Sequence, residues 1–376
     1  MSETLTRVLH ERADGARLGS IDVDAITRAG ARTVRRRHGT AVTGLASALA
    51  VVGTIGALGL GGTDRHERDA ATSPTAVATV TWASGTYLHT EWLERDGWSG
   101  SSSVDLGHQV SAYVRTARGY VLTDGQQIWS YVDGHLSHVG TVEGFFPSST
   151  FQLVGDTDGT LAAWLSERGP VVLDLATGEV HEFPMRGVAS VLAVDGRAVY
   201  VNDSQGVSAI DVDSGSVTPL GSGSPPLAFE DGRVAVRSSN GNLFVPATGP
   251  GDRAPTGLEH SNGVATFSPD ARWLAVTVPT SDDGHRVKVF DPDHGTPVML
   301  PTGSVSAEGY EWVDDDTLAV LSLETPSSHY RLLACTVSEP SCAVAVPDLG
   351  EGRDDGGNGV RFVLPIGEPY FPYPHG

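Results

Sequence analysis

The chain contains very little cysteine and almost no lysine. Cys335 and Cys342 are its only cysteines, and Lys288 is the only lysine beside 24 arginines. Two cysteines supply at most half of a structural metal site, so a single disulfide is the main structural role left to them. The shortage of lysine is typical of coding bias in a GC-rich genome and does not indicate a basic binding patch.

Motifs of known chemistry are also missing. The sequence has no G-x-S-x-G and no H-E-x-x-H, and its 13 histidines are scattered without ligand spacing. A sialidase-type Asp box, S-x-D-x-G-x-x-W, is approached only between Ser268 and Trp273, where the Gly is missing and the Trp comes too early. We therefore predict no catalytic residue, no metal ligand and no cofactor, and we expect a protein that is not an enzyme.

Basic residues are few outside the N-terminal segment. The whole chain has a net charge of -21, and residues 1–39 hold 8 arginines against 5 acidic residues. This leaves 17 basic and 41 acidic residues beyond the segment, a net charge near −24. Such a surface repels nucleic acid and anionic lipid headgroups, because both bind through Lys and Arg. It favours a partner with a basic face.

A run of 23 residues, Thr40 to Gly62, carries no charge. As a helix it is about 35 Å long, enough for a hydrocarbon core of about 30 Å. Five arginines lie between Arg28 and Arg37, and because Lys and Arg near a span stay in the cytoplasm, we predict the N-terminus inside and residues 63–376 outside. A cleaved signal peptide is the alternative, but its apolar core has only about 7 to 15 residues.

The arm at residues 1–39 has a pattern of its own. L-x-x-x-L-x-E-R-A-D begins at Leu5, and D-x-D-A-I-x-R-A-x-x-R-x-x-R-R-R begins at Asp22. The arm resembles the segments that precede the span in actinobacterial single-pass proteins, some of which are thought to act on sigma factors. The resemblance implies one alternative function, a transmembrane regulator that acts through the arm.

Beyond a linker at residues 63–77, a turn followed by a short apolar strand recurs seven times. The copies begin at Ser84-Gly85, Arg118-Gly119, Asp158-Gly159, Asp195-Gly196, Asp231-Gly232, Asp270-Ala271 and Asp315-Asp316. A period near 40 residues with four strands per unit is the signature of a β-propeller. Strands such as LAAWL, after Asp158-Gly159, are apolar on both faces, as expected where neighbouring sheets cover both sides of a blade.

The repeat resembles WD-repeat, YVTN and TolB-like propellers, most closely in S-P-D-A-R-W-L-A from Ser268, where the usual motif has Gly at the position of Ala271. This resemblance is shared by propellers of many functions and implies the fold alone. We predict an all-β fold, a β-propeller at residues 78–364 preceded by a single transmembrane helix. Seven blades are expected, with six and eight as alternatives, and the late strand Val360 to Leu364 is expected to pair with the strands near residues 78–92 and close the ring.

Cys335 and Cys342 flank the turn of the last predicted hairpin, where they face each other across two strands. In a reducing cytosol they would be free thiols or half a metal site, whereas outside the membrane a disulfide is expected. The C-terminal tail, residues 365–376, alternates Pro with aromatic residues. It is either a docking peptide in polyproline II conformation or a segment packed across one face of the propeller.

Paired aspartates raise the alternative of calcium binding. The pairs are Asp156 and Asp158, Asp211 and Asp213, and Asp291 and Asp293. None has the third carboxylate and the distal Glu that a calcium loop requires, so we interpret them as turn residues.

The layout predicts a membrane-anchored extracytoplasmic propeller that binds a protein, peptide or glycan and performs no chemistry. Propellers carry variable loops on a rigid ring, so binding is the activity that they support most directly. The alternative is an extracytoplasmic glycan or peptide hydrolase or lyase that uses carboxylates of the central channel, brought together from loops distant in sequence.

The predicted topology has a direct test. Protease added to intact cells or spheroplasts is expected to degrade residues 78–376 and to spare the arm, because only the acidic part is exposed outside. Immunoblotting with antibodies against each part measures this. Protection of the large domain would contradict the orientation.

Overall fold

A computed structural model of the chain describes most of the repeat region. The described residues are 76–94, 99–142, 153–221, 228–230, 233–237, 242–244, 258–260, 265–280, 284–295, 297–325, 329–350 and 362–367. The predicted arm (1–39), the predicted span (40–62), nearly all of the linker and the tail beyond residue 367 lie outside them. Within these ranges, no helix has the length and apolar character needed to cross a membrane.

Every regular element of the described residues is a β-strand, and six sheets have four antiparallel strands each. Blade 1 contains β4 (Ala112–Thr116), β5 (Gly119–Thr123), β6 (Gln127–Val132) and β7 (His135–Thr141). Blade 2 contains β8 (Val154–Gly155), β9 (Leu161–Ser166), β10 (Gly169–Asp174) and β11 (Glu179–Glu182). Blade 3 contains β12 (Val188–Asp195), β13 (Ala198–Asp203), β14 (Gly206–Asp211) and β15 (Val217–Gly221).

The other three blades repeat the arrangement. Blade 4 contains β16 (Ala228–Glu230), β17 (Arg233–Arg237), β18 (Asn242–Phe244) and β19 (Leu258–His260). Blade 5 contains β20 (Ala265–Phe267), β21 (Leu274–Pro279), β22 (His285–Phe290) and β23 (Pro297–Met299). Blade 6 contains β24 (Ser306–Trp312), β25 (Thr317–Leu323), β26 (Tyr330–Thr336) and β27 (Ser341–Gly350).

A smaller sheet precedes the blades. It contains β1 (Ala76–Ser84), β2 (Tyr87–Glu94) and β3 (Ser99–Asp105), and we call it the closing sheet. The mutual hydrogen bonds of Ala83 and Val363, at 2.8 and 2.9 Å, join its first strand to the C-terminal segment. The predicted pairing of the late strand with the N-terminal strands is therefore confirmed.

The first strands of consecutive blades lie side by side, from β4 through β8, β12, β16 and β20 to β24. Hydrophobic clusters fill the interfaces between consecutive blades, and two more clusters pack the closing sheet against blade 6 and blade 1. The blades and the closing sheet thus form a complete ring, which is a β-propeller. Because every blade is covered on both sides, inner strands such as β9 and β25 are buried on both faces, as the sequence predicted, whereas outer strands such as β7 and β11 are largely exposed.

The turns predicted from the sequence coincide with hairpins of the structure. In the sequence of each of the six blades, the turn of the repeat lies between the first strand and the second, and Gly178, Gly215 and Gly295 lie between the third strand and the fourth of blades 2, 3 and 5. We call this side of the ring the turn face and the opposite side the crossover face. Ala271 has a φ of 55°, the left-handed conformation that the Gly of the usual motif adopts without strain.

The prediction of seven blades is wrong in number, because there are six four-stranded blades and the first turn copy belongs to the closing sheet. The turn at Ser84-Gly85 also lies on the other side of the ring. The carbonyl of Gly85 accepts a hydrogen bond of 2.8 Å from the backbone N–H of Val110, just before β4 begins on the crossover face. The spacing of turns cannot reveal this shift, since a turn of the same composition serves either side of a sheet.

The C-terminal segment, residues 362–367, holds several sheets together at the centre of the ring. Besides the bridge to the closing sheet, the N–H of Gly367 donates to the carbonyl of Tyr113 in blade 1 at 2.9 Å. The carbonyl of Gly367 accepts from the N–H of Leu153, beside blade 2, at 3.0 Å. Phe362 and Leu364 are buried against blade 6. The ring is therefore closed by residues 362–367, and the first residues of the predicted tail, 365–367, pack into the propeller.

Replacement of Gly367 by Ala tests this closure. Gly367 has a φ of 75°, and a Cβ there would lie 1.8 Å from the carbonyl oxygen of Leu153. Gly178 has the same φ of 75° but open space around it, so Gly178→Ala is a matched control. Chemical denaturation is expected to show a loss of about 1 to 2 kcal/mol for Gly178→Ala and of more than about 4 kcal/mol for Gly367→Ala. Equal losses would contradict the closure.

Candidate functional site

The aspartates of the turn face act mainly on the backbone of their own turns. Asp156 accepts hydrogen bonds from the N–H groups of Gly159 and Gly196, both at 2.9 Å. Asp211 accepts from the N–H of Ser214 at 2.8 Å, and Asp291 binds its own turn in the same way. The interpretation of these residues as turn aspartates is confirmed. Within the described ranges, no group of three or more His, Cys, Asp or Glu side chains is arranged to hold a metal ion.

Two arginines that follow the D-G turns link neighbouring blades. Arg197 of blade 3 contacts Asp174 of blade 2 and Asp213 of its own blade, both at 2.6 Å. Burial opposes ionisation of Asp174, but hydrogen bonds from Thr160 and Arg197 outweigh it and lower the pKa of that carboxyl. Arg233 of blade 4 pairs in the same way with a carboxylate of blade 5. These cations are neutralised locally, so they contribute little positive charge to the face.

Other aspartates of the turn face repel one another. Asp315 of blade 6 lies near Asp270 of blade 5, Asp158 of blade 2 and its own neighbour Asp314. Burial and, after it, the nearby carboxylates of Asp270 and Asp314 raise the pKa of Asp315, although the backbone N–H of Asp270 donates a hydrogen bond to it. We call these four residues the acidic mouth, because they stand on the turns that follow the innermost strands. Their negative potential favours a positively charged group.

A second polar cluster lies inside the ring, between blade 1 and blade 6. The Nε atom of Arg115 lies 2.8 Å from Oε1 of Glu311, and its guanidinium donates a hydrogen bond of 3.1 Å to the carbonyl of Trp312. Because β4 and β24 flank the closing sheet, Arg115 reaches across that sheet from one blade to the other. Burial raises the pKa of Glu311, and the charge of Arg115 opposes this shift. We call Arg115, Tyr310 and Glu311 the ring-closing cluster.

The cavity between blades 1 and 2 has a different character. It is an open groove of about 260 Å³ lined mainly by Val139, Gly140, Trp164, Ser166, Arg168 and Glu182. Arg168 and Glu182 are exposed and their charged atoms are 3.8 Å apart. Its two charged side chains stand at the exposed outer part of blade 2, and the rest of the lining is largely apolar or small.

The two cysteines are bonded to each other across β26 and β27. Their S–S distance is 2.10 Å, and they occupy directly paired positions, as the sequence predicted. The backbone N–H of Ser338, in the intervening turn, donates a hydrogen bond of 2.9 Å to Asp316. The disulfide hairpin is thereby fastened to the turn that carries the acidic mouth.

The ring-closing cluster was missed by the sequence reasoning. Arg115 and Glu311 are almost 200 positions apart, and neither belongs to a recognisable motif. The aspartates of the mouth were seen only as turn signals. One signal was present in the segment E-W-V-D-D-D, Glu311 to Asp316, because it contains more carboxylates than one turn needs.

Comparison with known proteins finds similarity in structure only. No protein-family profile and no curated protein sequence matches the chain. Among solved structures, TolB from Acinetobacter baumannii is 13% identical, with a TM-score of 0.43, over 73% of this chain and 65% of that one. The propeller domain of the trilobed protease from Pyrococcus furiosus is 12% identical, with a TM-score of 0.48, over 72% and 98%. A puromycin-hydrolysing peptidase from Mycobacterium tuberculosis is 13% identical, with a TM-score of 0.45, and the chain spans 53% of its length.

Removal of the disulfide has a predictable cost. It closes a loop of about eight residues, so the double variant Cys335→Ala/Cys342→Ala is expected to lose about 2 to 3 kcal/mol of unfolding free energy. Denaturation curves of the native protein with and without reductant measure the same difference, and the double variant should not respond to reductant. Free, alkylatable thiols in unreduced native protein would contradict the pairing.

Proposed function

We propose that the protein is a membrane-anchored extracytoplasmic propeller that binds a partner through its turn face and performs no chemistry itself. The partner is a protein, peptide or glycan that presents a basic group. The observation that carries this proposal is the acidic mouth, where carboxylates from three blades converge on the same end of the ring.

The acidic mouth selects a basic partner through its negative electrostatic potential. Burial and the neighbouring carboxylates raise the pKa of Asp315, and a bound cation would relieve the repulsion at this residue. A net charge of -21 for the whole chain adds a long-range attraction for basic partners. At physiological salt the attraction extends over about 8 Å, so binding should weaken as salt is added.

The burial of the Glu311 carboxyl favours a binding function over a catalytic one. Glu311 has the raised pKa that general acids show, but only 5% of the residue is exposed. A general acid must come within hydrogen-bond reach of its substrate, and this carboxyl lies under the packed junction of two blades and the closing sheet. The enzyme alternative would therefore depend on the aspartates of the mouth.

The proposed location outside the membrane is argued from the sequence and from the cysteine pair. The charge-free run at residues 40–62 and the arginines before it favour an anchor with the propeller outside. A disulfide between the only two cysteines fits an oxidising exterior better than the cytosol.

The double variant Asp270→Asn/Asp315→Asn tests the proposal. Asn keeps the size and the hydrogen-bond acceptor of Asp but removes the charge, so folding should be preserved. Crosslinking in whole cells followed by detergent purification is expected to capture an extracytoplasmic partner with the wild-type chain and about tenfold less with the variant. Binding of an oligo-arginine peptide, titrated at low and high salt, should fall in parallel.

Glu167→Gln/Glu182→Gln is the matched control, because it removes the same charge from the crossover side of blade 2, where both residues are exposed. It should leave capture unchanged. Equal losses for both variants would show that only net charge matters and would contradict a binding site at the mouth. Turnover of a glycan or peptide that the Asp variant abolishes would favour the enzyme, and capture of a sigma factor through residues 1–39 would favour the regulator.

A further inference from the structure

Three polar atoms of the ring-closing cluster have no hydrogen-bond partner among the described residues. They are both carboxylate oxygens of Glu311 and the hydroxyl of Tyr310, and all three are shielded from solvent. Arg115 approaches Oε1 of Glu311 as an ion pair, with its Nε atom 2.8 Å away, but neither carboxylate oxygen has a hydrogen bond among the described residues. Buried polar atoms in folded proteins nearly always have a hydrogen-bond partner, so three atoms of one cluster without a hydrogen bond require an explanation.

The backbone brings these atoms together. Neighbouring residues of a regular strand point to opposite faces, which would separate Tyr310 from Glu311. A β-bulge interrupts β24 here, because Gly309 pairs with Val320 and Glu311 pairs with Ala319, which leaves Tyr310 without an opposite residue. Burial and, after it, the charge of Glu311 accordingly raise the pKa of the Tyr310 hydroxyl, and the charge of Arg115 opposes this effect. Bulges commonly redirect side chains at functional positions.

We infer that Tyr310 and Glu311 bind a buried water molecule at the junction of blade 6, the closing sheet and blade 1. Water donates two hydrogen bonds, which the carboxylate oxygens accept, and it accepts one from the hydroxyl of Tyr310. Such waters typically make about three hydrogen bonds to groups that otherwise lack partners. The site is separate from the acidic mouth and does not rest on the proposed function.

Other occupants fit the site less well. A metal cation would face the guanidinium of Arg115 and would find only one carboxylate, far short of the oxygen ligands that calcium or magnesium needs. An organic ligand is excluded by size, because Tyr310 is only 9% exposed and Glu311 only 5%. Among the described residues, the ionisable groups that face Glu311 from blade 1 are Arg115, Tyr113 and Tyr120, and none of these three is a carboxylate.

The direction in which Tyr310→Phe changes the stability of the protein tests the inference. Removing a buried hydroxyl that has a partner destabilises a protein, whereas removing one without a partner is neutral or stabilising. Tyr310→Phe in the full chain is therefore expected to lower Tm by about 2 to 4 °C, measured by calorimetry in detergent. An unchanged or higher Tm would overturn the inference.

A structure of the full chain at a resolution that shows ordered water gives the second readout. Water is expected within hydrogen-bond distance of Tyr310 Oη and of a Glu311 oxygen. It should persist in Tyr200→Phe, a control at another buried tyrosine between blades 3 and 4, and should be lost or displaced in Tyr310→Phe. An empty site, or a direct hydrogen bond between Tyr310 and Glu311, would overturn the inference even if Tyr310→Phe fails to fold.

Discussion

The pairing of Val363 with Ala83 is the contact on which the architecture depends. Two hydrogen bonds join the end of the described chain to its first strand and hold the closing sheet between blade 6 and blade 1. Each blade buries its apolar faces only against its neighbours, so an unclosed ring would expose two of them. The closure brings together residues separated by almost the whole domain, so the entropy of closing this long loop opposes the contact.

Polar groups accumulate where the ring closes. Blade-to-blade interfaces elsewhere are filled mainly by aliphatic side chains, whereas this junction contains Arg115, Glu311 and several tyrosines. A buried ion pair contributes little net stability, because the desolvation of both charges offsets their attraction. It is directional, however, because Arg115 contacts both the carboxylate of Glu311 and the carbonyl of Trp312 in blade 6. The pair therefore defines how the first and last blades meet more than it strengthens the contact.

The two sides of the ring have different chemistry. Turns on the turn face use aspartate to bind backbone N–H groups, so this face carries negative charge as a consequence of how its hairpins are built. Arginines of the D-G-R turns neutralise part of it by linking blades, as Arg197 does between blades 2 and 3. At the acidic mouth, none of the arginines in the described part of the chain forms an ion pair with Asp315. The proposed binding of a basic group is thus an extension of the same turn chemistry that shapes the fold.

Local interactions explain what the sequence determined by itself. The seven turns, the strands that follow them and the facing positions of Cys335 and Cys342 depend on residues close together in the chain, where Gly, Asp and apolar runs act over a few positions. The pairing of the last strand with the first was also predictable, since the period left a strand without a unit. Tertiary structure decided the rest: the side on which the first turn lies, the number of four-stranded blades, the reach of Arg115 to Glu311 and the convergence of Asp158 with Asp270 and Asp315. These features depend on how distant segments are placed around a common axis, and no local pattern encodes that distance.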